Sequence, residues 1–175
     1  ILVFNPNKQN CGKWQYCGGQ RIDALVTNEA IDGDDWKSKP QFSQGKVLYH
    51  GHKIEDGNLR YTSLCGDITN AYDADTVSEV KRYMFSLHTG RDDNPLAFFV
   101  FDRVTAVDEN YKKSVLLHMQ ARPLITKTPS GKRDCAMITN LSSRLYVQTV
   151  GSDIEFSMIG GEGKQFNANG VDYER

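Results

Sequence analysis

Residues 96–101 read Leu-Ala-Phe-Phe-Val-Phe, six apolar residues in a row directly after Pro95. The run is too short for a core helix, and its aromatic and branched side chains favour a strand. A strand that is apolar at every position is typical of one buried on both faces. This stretch therefore predicts a central strand of a β domain.

Alternation of apolar and polar residues predicts two strands towards the end of the chain. Ile154, Phe156 and Met158 alternate with polar residues, and the same pattern runs through residues 144–148. Gly151-Ser152 lies between the two patterns and predicts a tight hairpin turn.

Three more strands are predicted by shorter signals. The first covers residues 46–50 and is followed by the turn dipeptide Asp56-Gly57. The other two cover residues 114–119 and 135–139, and a loop containing residues 129–131 (Pro-Ser-Gly) connects them.

Residues 76–88 carry two conflicting signals. Thr76-Val77-Ser78-Glu79 matches a helix capping box. In contrast, Tyr83, Phe85 and Leu87 alternate with their neighbours as in a strand. We favour the strand because helical patterns are scarce in the rest of the chain.

Together these patterns predict an all-β fold, an antiparallel β-sandwich with little helix, in a single domain covering residues 1–175. The polar residues 29–45 predict a long surface loop. The length of 175 residues fits one domain.

The charge and hydropathy of the chain argue against two classes of partner. The formal net charge is −1, so the chain has no overall basic character for binding nucleic acid. No stretch reaches the ~18 apolar residues of a membrane-spanning helix, so we expect no membrane span.

The four cysteines leave two interpretations open. Cys11, Cys17, Cys65 and Cys135 could form two disulfides in any of three pairings, or remain free thiols, some of them buried. We favour free thiols because a domain of this size needs no covalent cross-link.

Several motifs resemble, in order, the β-sandwich portion of heparinase II/III-like polysaccharide lyases, a supersandwich-like fold. They span most of the chain, and each is weak alone. They are residues 1–6 (Ile-Leu-Val-Phe-Asn-Pro), 18–21 (Gly-Gly-Gln-Arg), 66–72 (Gly-Asp-Ile-Thr-Asn-Ala-Tyr), 99–104 (Phe-Val-Phe-Asp-Arg-Val), 111–118 and 144–147.

The resemblance implies a function that the chain would share with a larger protein. Lyases of this family cleave acidic, uronic-acid polysaccharides by β-elimination, and a helical toroid precedes their β-sandwich. By this resemblance the catalytic residues would lie before Ile1, so no catalytic residue is assigned and the isolated chain is expected to be inactive. The expected partners are an acidic polysaccharide and the toroid, and the expected location is secreted or periplasmic in a bacterium. The alternative is a non-catalytic carbohydrate-binding or structural β-sandwich.

A metal site is one candidate function. His50 and His52 are two residues apart, so on a strand they would share a face, as metal ligands often do. Asp67 or His118 could supply a third ligand, and the resemblance allows a divalent metal such as zinc in the parent protein. We favour two surface histidines, because the family's own pair of histidines lies earlier in the chain.

A sugar-facing loop is the second candidate. Glycines in Gly18-Gly19 permit close approach of a ligand to the backbone, and Gln20 and Arg21 could bind its carboxylates. Trp14 and Tyr16 could stack on sugar rings, or could equally pack the loop onto the sandwich.

Three further residues are predicted to have structural roles. We expect Asp102 to be paired, because a buried charge needs a partner. His118 is expected to be a hydrogen-bonded core residue, and Asp67 is expected to hold a turn by accepting backbone N–H bonds.

Overall fold

A computed structural model describes residues 1–7, 18–20, 34, 44–119, 121–128, 131, 134–151, 154–158, 166–168 and 171–173. The predicted all-β antiparallel sandwich with little helix is confirmed. The strands are β1 (Leu2–Phe4), β2 (Lys46–Glu55), β3 (Asn58–Asp67), β4 (Val77–His88), β5 (Leu96–Ala106), β6 (Lys112–Ser114), β7 (Leu124–Lys127), β8 (Asp134–Asn140), β9 (Ser143–Gln148), β10 (Phe166–Ala168) and β11 (Val171–Tyr173). A 3₁₀ turn, Thr69–Ala71, lies between β3 and β4.

Contacts within the chain define two compact units, residues 1–116 and residues 117–175. In the first unit, four strands form one antiparallel sheet in the order β2-β3-β4-β5, and β1 pairs with β6. In the second unit, β7, β8 and β9 form a three-stranded antiparallel sheet, and β10 pairs with β11.

The hairpin between β2 and β3 is closed by the dipeptide Asp56-Gly57. Both residues have positive φ, 51° and 74°, between the paired Glu55 and Asn58. An Asp-Gly pair adopts such a turn at low cost, because Asp tolerates and Gly readily populates positive φ. The sequence thus sets where β2 ends and β3 begins.

The core of the first unit lies where the short β1 packs against β4. Val3, Val77 and Val80 are fully or almost fully buried, and Ala71 and Tyr72 of the turn region complete the cluster. The β1–β6 and β2–β5 sheets therefore pack together through branched side chains.

A buried polar contact and a close backbone approach fix β1 in place. The Asn5 side-chain amide donates to the Thr76 hydroxyl at 3.1 Å, and both residues are buried. The Val3 N–H donates to the Gly18 carbonyl at 2.8 Å, and a Cβ at position 18 would lie 2.3 Å from the Val3 oxygen. Only glycine fits there, since its φ is also 81°.

In the second unit, Asp134 ties β8 to two other segments. The Lys127 ammonium donates to one carboxylate oxygen of this buried residue, and the Phe156 N–H donates to the other at 2.6 Å. Both bonds favour the ionised form and lower the pKa of Asp134, with Lys127 the larger cause.

This lowered pKa predicts a loss of stability in acid. A carboxylate with a lower pKa in the folded state stabilises the fold above its unfolded pKa of about 4, and that contribution is lost as the pH falls through the folded value. We therefore expect the melting temperature of wild type to decrease once the pH is lowered below about 4. At pH 7, Asp134→Asn should melt at a lower temperature than wild type, and its melting temperature should decrease less when the pH is lowered. Circular dichroism melts from pH 7 to pH 2 measure this, with the exposed turn variant Asp56→Asn as control. An identical acid decline in Asp134→Asn and wild type would contradict the assignment.

The structure confirms several predicted strands. Residues 46–50, 135–139 and 144–148 all lie in strands, and residues 77–88 form a strand and not a helix. The strands β3, β7, β10 and β11 were not predicted. In sequence, residues 129–131 fall between β7 and β8, and of these three only Gly131 is described.

Other predictions about strands are wrong. Residues 96–101 do form a strand, but β5 has only β4 as a neighbour among the described residues, and Phe98, Phe99 and Phe101 are at least half exposed. Local apolar composition predicted burial that the pairing of the strands does not provide. In the predicted strand 114–119, only Ser114 belongs to one.

The predicted hairpin at Gly151-Ser152 is also wrong. Residues 154–158 are not in a strand, and β9 pairs instead with β8 through a turn at Leu141-Ser142. Of the predicted surface loop 29–45, only Asp34, Gln44 and Gly45 are described. Among the described residues, no helix has the length and apolar character needed to cross a membrane.

Candidate functional site

One face of the four-stranded sheet carries most of its aromatic side chains, and we call it the aromatic face. The strand register places its residues in rows that cross all four strands. Six aromatic residues share this face: Tyr49, Tyr61, Tyr83, Phe85, Phe99 and Phe101.

The rings of this face contact one another across neighbouring strands. Ring centroids lie 5.4 Å apart for Tyr61 and Phe85, 6.1 Å for Phe85 and Phe99, and 5.7 Å for Tyr83 and Phe101. These tilted arrangements are favourable for aromatic pairs and hold each ring in position.

The aromatic face is open to solvent. Tyr49 is 59% exposed, Phe99 51% and Phe101 65%. Large rings that are fixed in place yet half exposed form a surface suited to contact with another molecule.

Gly51 allows the Tyr49 ring to lie flat along β2. A Cβ at position 51 would come within 2.5 Å of the Tyr49 hydroxyl oxygen, so the ring occupies the space of a side chain there. The glycine between His50 and His52 therefore has a packing role on the aromatic face.

A row of charged residues borders the aromatic rows at one end of the sheet, and we call it the charged row. Lys46, Asp67, Lys81 and Arg103 are paired in sequence across β2, β3, β4 and β5. Glu79 lies beside the row, with its carboxylate 2.5 Å from the Lys81 ammonium and 2.8 Å from the Arg103 guanidinium.

The net charge at the charged row is positive. At the charged row there are three cations (Lys46, Lys81 and Arg103) and two anions (Asp67 and Glu79), an excess of one positive charge. An acidic ligand lying along the rings would meet this excess at the charged row.

Hydrogen bonds favour the ionised forms of Asp67, Glu79 and Lys81 at the charged row. The Thr69 hydroxyl and backbone N–H donate to Asp67, and these bonds, more than the nearby lysines, lower its pKa. The bond from Lys81 is likewise the main cause of the lowered pKa of Glu79, and it raises the pKa of Lys81. Asp67, Glu79 and Lys81 are therefore charged at neutral pH.

A polar cleft of about 500 Å³ opens beside the charged row. Lys46, Asp67 and Glu79 line it together with Thr69, Asn70 and Ser78. Its walls offer one ammonium group, two carboxylates, two hydroxyls and side-chain amides, which are groups that can form hydrogen bonds with a hydroxylated ligand.

The opposite face of the sheet carries the two candidate metal ligands. His50 is paired with Leu64 and His52 with Thr62, so both histidines lie on this face and both are exposed. Asp67 lies on the aromatic face and does not complete the pair. Within the described residues no three His, Cys, Asp or Glu side chains are grouped as for a metal ion, and the metal assignment stays a prediction.

Two of the three predicted structural roles are confirmed. Asp102 accepts two hydrogen bonds from the Arg82 guanidinium, at 2.7 and 2.9 Å. Asp67 holds the turn at Thr69 through a backbone N–H. The prediction for His118 is wrong, because its side chain is exposed and not in a core.

The predicted sugar-facing loop lies mostly outside the described residues. Gln20 is described and exposed, whereas Trp14, Tyr16 and Arg21 are not described. In the described part of the chain Cys65 and Cys135 are free thiols.

The aromatic face was not foreseen as a site. Its signal was present in the alternation of Tyr83 and Phe85, which predicts only a strand, and in the run 96–101, which was interpreted as a buried strand. The cross-strand register that brings β2 and β3 beside them cannot be obtained from local patterns.

Comparison with known protein families finds no family model that matches this chain, and comparison with curated proteins finds no significant match.

Proposed function

We propose that this chain binds an acidic polysaccharide through its aromatic face, as the β-sandwich portion of a heparinase II/III-like lyase. The observation that carries the proposal is the open aromatic face bordered by the charged row. Sugar rings present C–H groups that pack on aromatic rings, and uronic acids add one carboxylate per residue. On this sheet the aromatic rows offer rings for the sugar C–H groups, and the adjacent charged row offers cations for the carboxylates.

The arrangement supports an extended ligand over a compact one. Tyr49, Tyr83 and Phe101 lie in one row across β2, β4 and β5, and neighbouring strands are about 4.8 Å apart. The exposed rings at the two edges are thus separated by three strand spacings, about 14 Å. A chain of several sugars could contact both, with its carboxylates near Lys81 and Arg103.

In the lyase, β-elimination requires that the uronate carboxylate be neutralised, the C5 proton removed and the leaving oxygen protonated. The charged row would contribute binding and orientation of carboxylates. By the family resemblance, the proton-transfer groups belong to a preceding helical toroid. The resemblance allows a divalent metal such as zinc in the parent protein. His50 and His52 lie on the opposite face of the sheet and take no part in the proposed binding of polysaccharide.

Two measurements test the proposal. Calorimetric titration of this chain should detect binding to heparan sulfate or alginate and weaker binding to an uncharged polymer such as dextran. A longer protein that includes the preceding segment should then produce the absorbance of unsaturated uronic acid. Binding without product would favour the non-catalytic carbohydrate-binding domain, and no binding to any acidic polymer would overturn both.

A further inference from the structure

The two edge strands of the four-stranded sheet, β2 and β5, differ in how well they are protected from pairing with another chain. Along β2 the register is interrupted twice, between Val47 and Tyr49 and between Lys53 and Ile54. The strand also carries Lys46 and Glu55 among its exposed residues. Irregular register and charged side chains are the usual means by which an edge strand avoids pairing with another chain.

The β5 edge lacks this protection along residues 96–101. Its register with β4 is regular from Thr105 to Leu96, and residues 96–101 carry no charge. Both of its faces expose large apolar side chains: Phe98 (58%) and Val100 (50%) on one, Phe99 (51%) and Phe101 (65%) on the other. Among the described residues, β4 is its one strand neighbour.

We propose that β5 pairs with the β5 strand of a second copy of this chain, antiparallel and with Phe101 at the two-fold axis. The pairing joins two four-stranded sheets into one sheet of eight strands. It is inferred from the strand edge alone and does not depend on the proposed binding of polysaccharide.

A second copy is favoured because the partner strand must be apolar on both faces, and β5 itself meets that requirement. With Phe101 at the axis, all eleven residues of β5 find a partner, and Phe98 lies opposite Val104 of the partner subunit. Cross-strand apolar pairs of this kind stabilise a sheet.

The charges of β5 also agree with this register. Asp102 and Arg103 are its charged residues. With Phe101 at the axis they lie opposite Val100 and Phe99 of the partner subunit, where a guanidinium beside a ring is favourable. Moving the axis to Asp102 or Arg103 would place like charges opposite each other, which is destabilising.

The test is the mass of the chain in solution, measured by light scattering and sedimentation over about 1–200 µM, a range that brackets ordinary dimer affinities. Wild type should be a dimer at the upper end. Phe101→Lys and Phe101→Glu should each weaken dimerisation at least about tenfold, because like charges then face each other at the axis. An equimolar mixture of the two variants should restore dimers, which also excludes misfolding as the cause of their dissociation.

The matched control is Tyr49→Lys. Tyr49 lies in the same cross-strand row as Phe101, on the β2 edge, and is 59% exposed against 65% for Phe101. This variant should dimerise like wild type. A monomeric wild type, an open-ended polymer, a dimer unaffected at Phe101, or a variant mixture that stays monomeric would each overturn the proposal.

Discussion

Replacing Val80 by aspartate is expected to abolish the folding of residues 1–116. Val80 is completely buried, in contact with the cluster of Val3, Ala71, Tyr72 and Val77. A carboxylate placed there has no partner, and burying it costs several kcal/mol, a large part of the roughly 5–15 kcal/mol that stabilises a typical domain.

Circular dichroism and urea unfolding of Val80→Asp should show loss of the cooperative transition, or a free energy of unfolding lowered by about 4 kcal/mol or more. Val47→Asp is the control, because Val47 is 57% exposed in the same sheet. Its stability should remain close to that of wild type. If the two variants unfold at similar urea concentrations, Val80 is not part of a buried core, which would contradict the structure.

Removing the carboxylate of Asp102 should also be strongly destabilising. The Asp102 side chain is only 13% exposed, and its two bonds to Arg82 join β4 and β5 directly. In Asp102→Ala the partly buried guanidinium loses both acceptors, and we expect the free energy of unfolding to fall by about 1–3 kcal/mol.

The chain contains a second ion pair of nearly the same geometry as a control for burial. Arg91 donates to Asp93 at 2.9 and 2.7 Å, but both side chains are 68% exposed. Asp93→Ala should be indistinguishable from wild type in urea unfolding, because water and salt screen an exposed pair. If Asp93→Ala and Asp102→Ala lowered the free energy of unfolding equally, burial would not determine how much these ion pairs stabilise the fold.

For most strands, the sequence predicts that the segment forms a strand, but it does not predict which other strands it pairs with. Alternation identified residues 77–88 as a strand against a capping-box signal, because Tyr83, Phe85 and Leu87 repeat every second residue. β3 was missed because both of its faces mix polar and apolar residues: Tyr61 and Ser63 share one face, and Thr62 and Leu64 share the other.

The position of β5 illustrates why strand order is beyond local reasoning. Its composition predicted a central strand, but composition does not specify how many neighbours a strand has. If two copies pair as proposed, β5 becomes central in the dimer, and the pattern of residues 96–101 has a physical explanation.

The candidate site was only partly predictable for a related reason. The sequence indicated that Asp102 needs a partner, but Arg82 is twenty residues away and is brought opposite by the register of β4 and β5. The aromatic face likewise combines residues from four strands. Each of its rings taken singly is equally consistent with an ordinary core residue.

The central claim is that the aromatic face binds an acidic polysaccharide, and two neighbouring residues of β2 test it most directly. Tyr49 lies on the aromatic face, and His50 lies on the opposite face. By calorimetric titration with heparan sulfate or alginate oligosaccharides, Tyr49→Ala should bind about two- to tenfold more weakly than wild type, as for the loss of one aromatic contact. His50→Ala should bind like wild type. Unchanged affinity in Tyr49→Ala, or a larger loss in His50→Ala, would contradict the account.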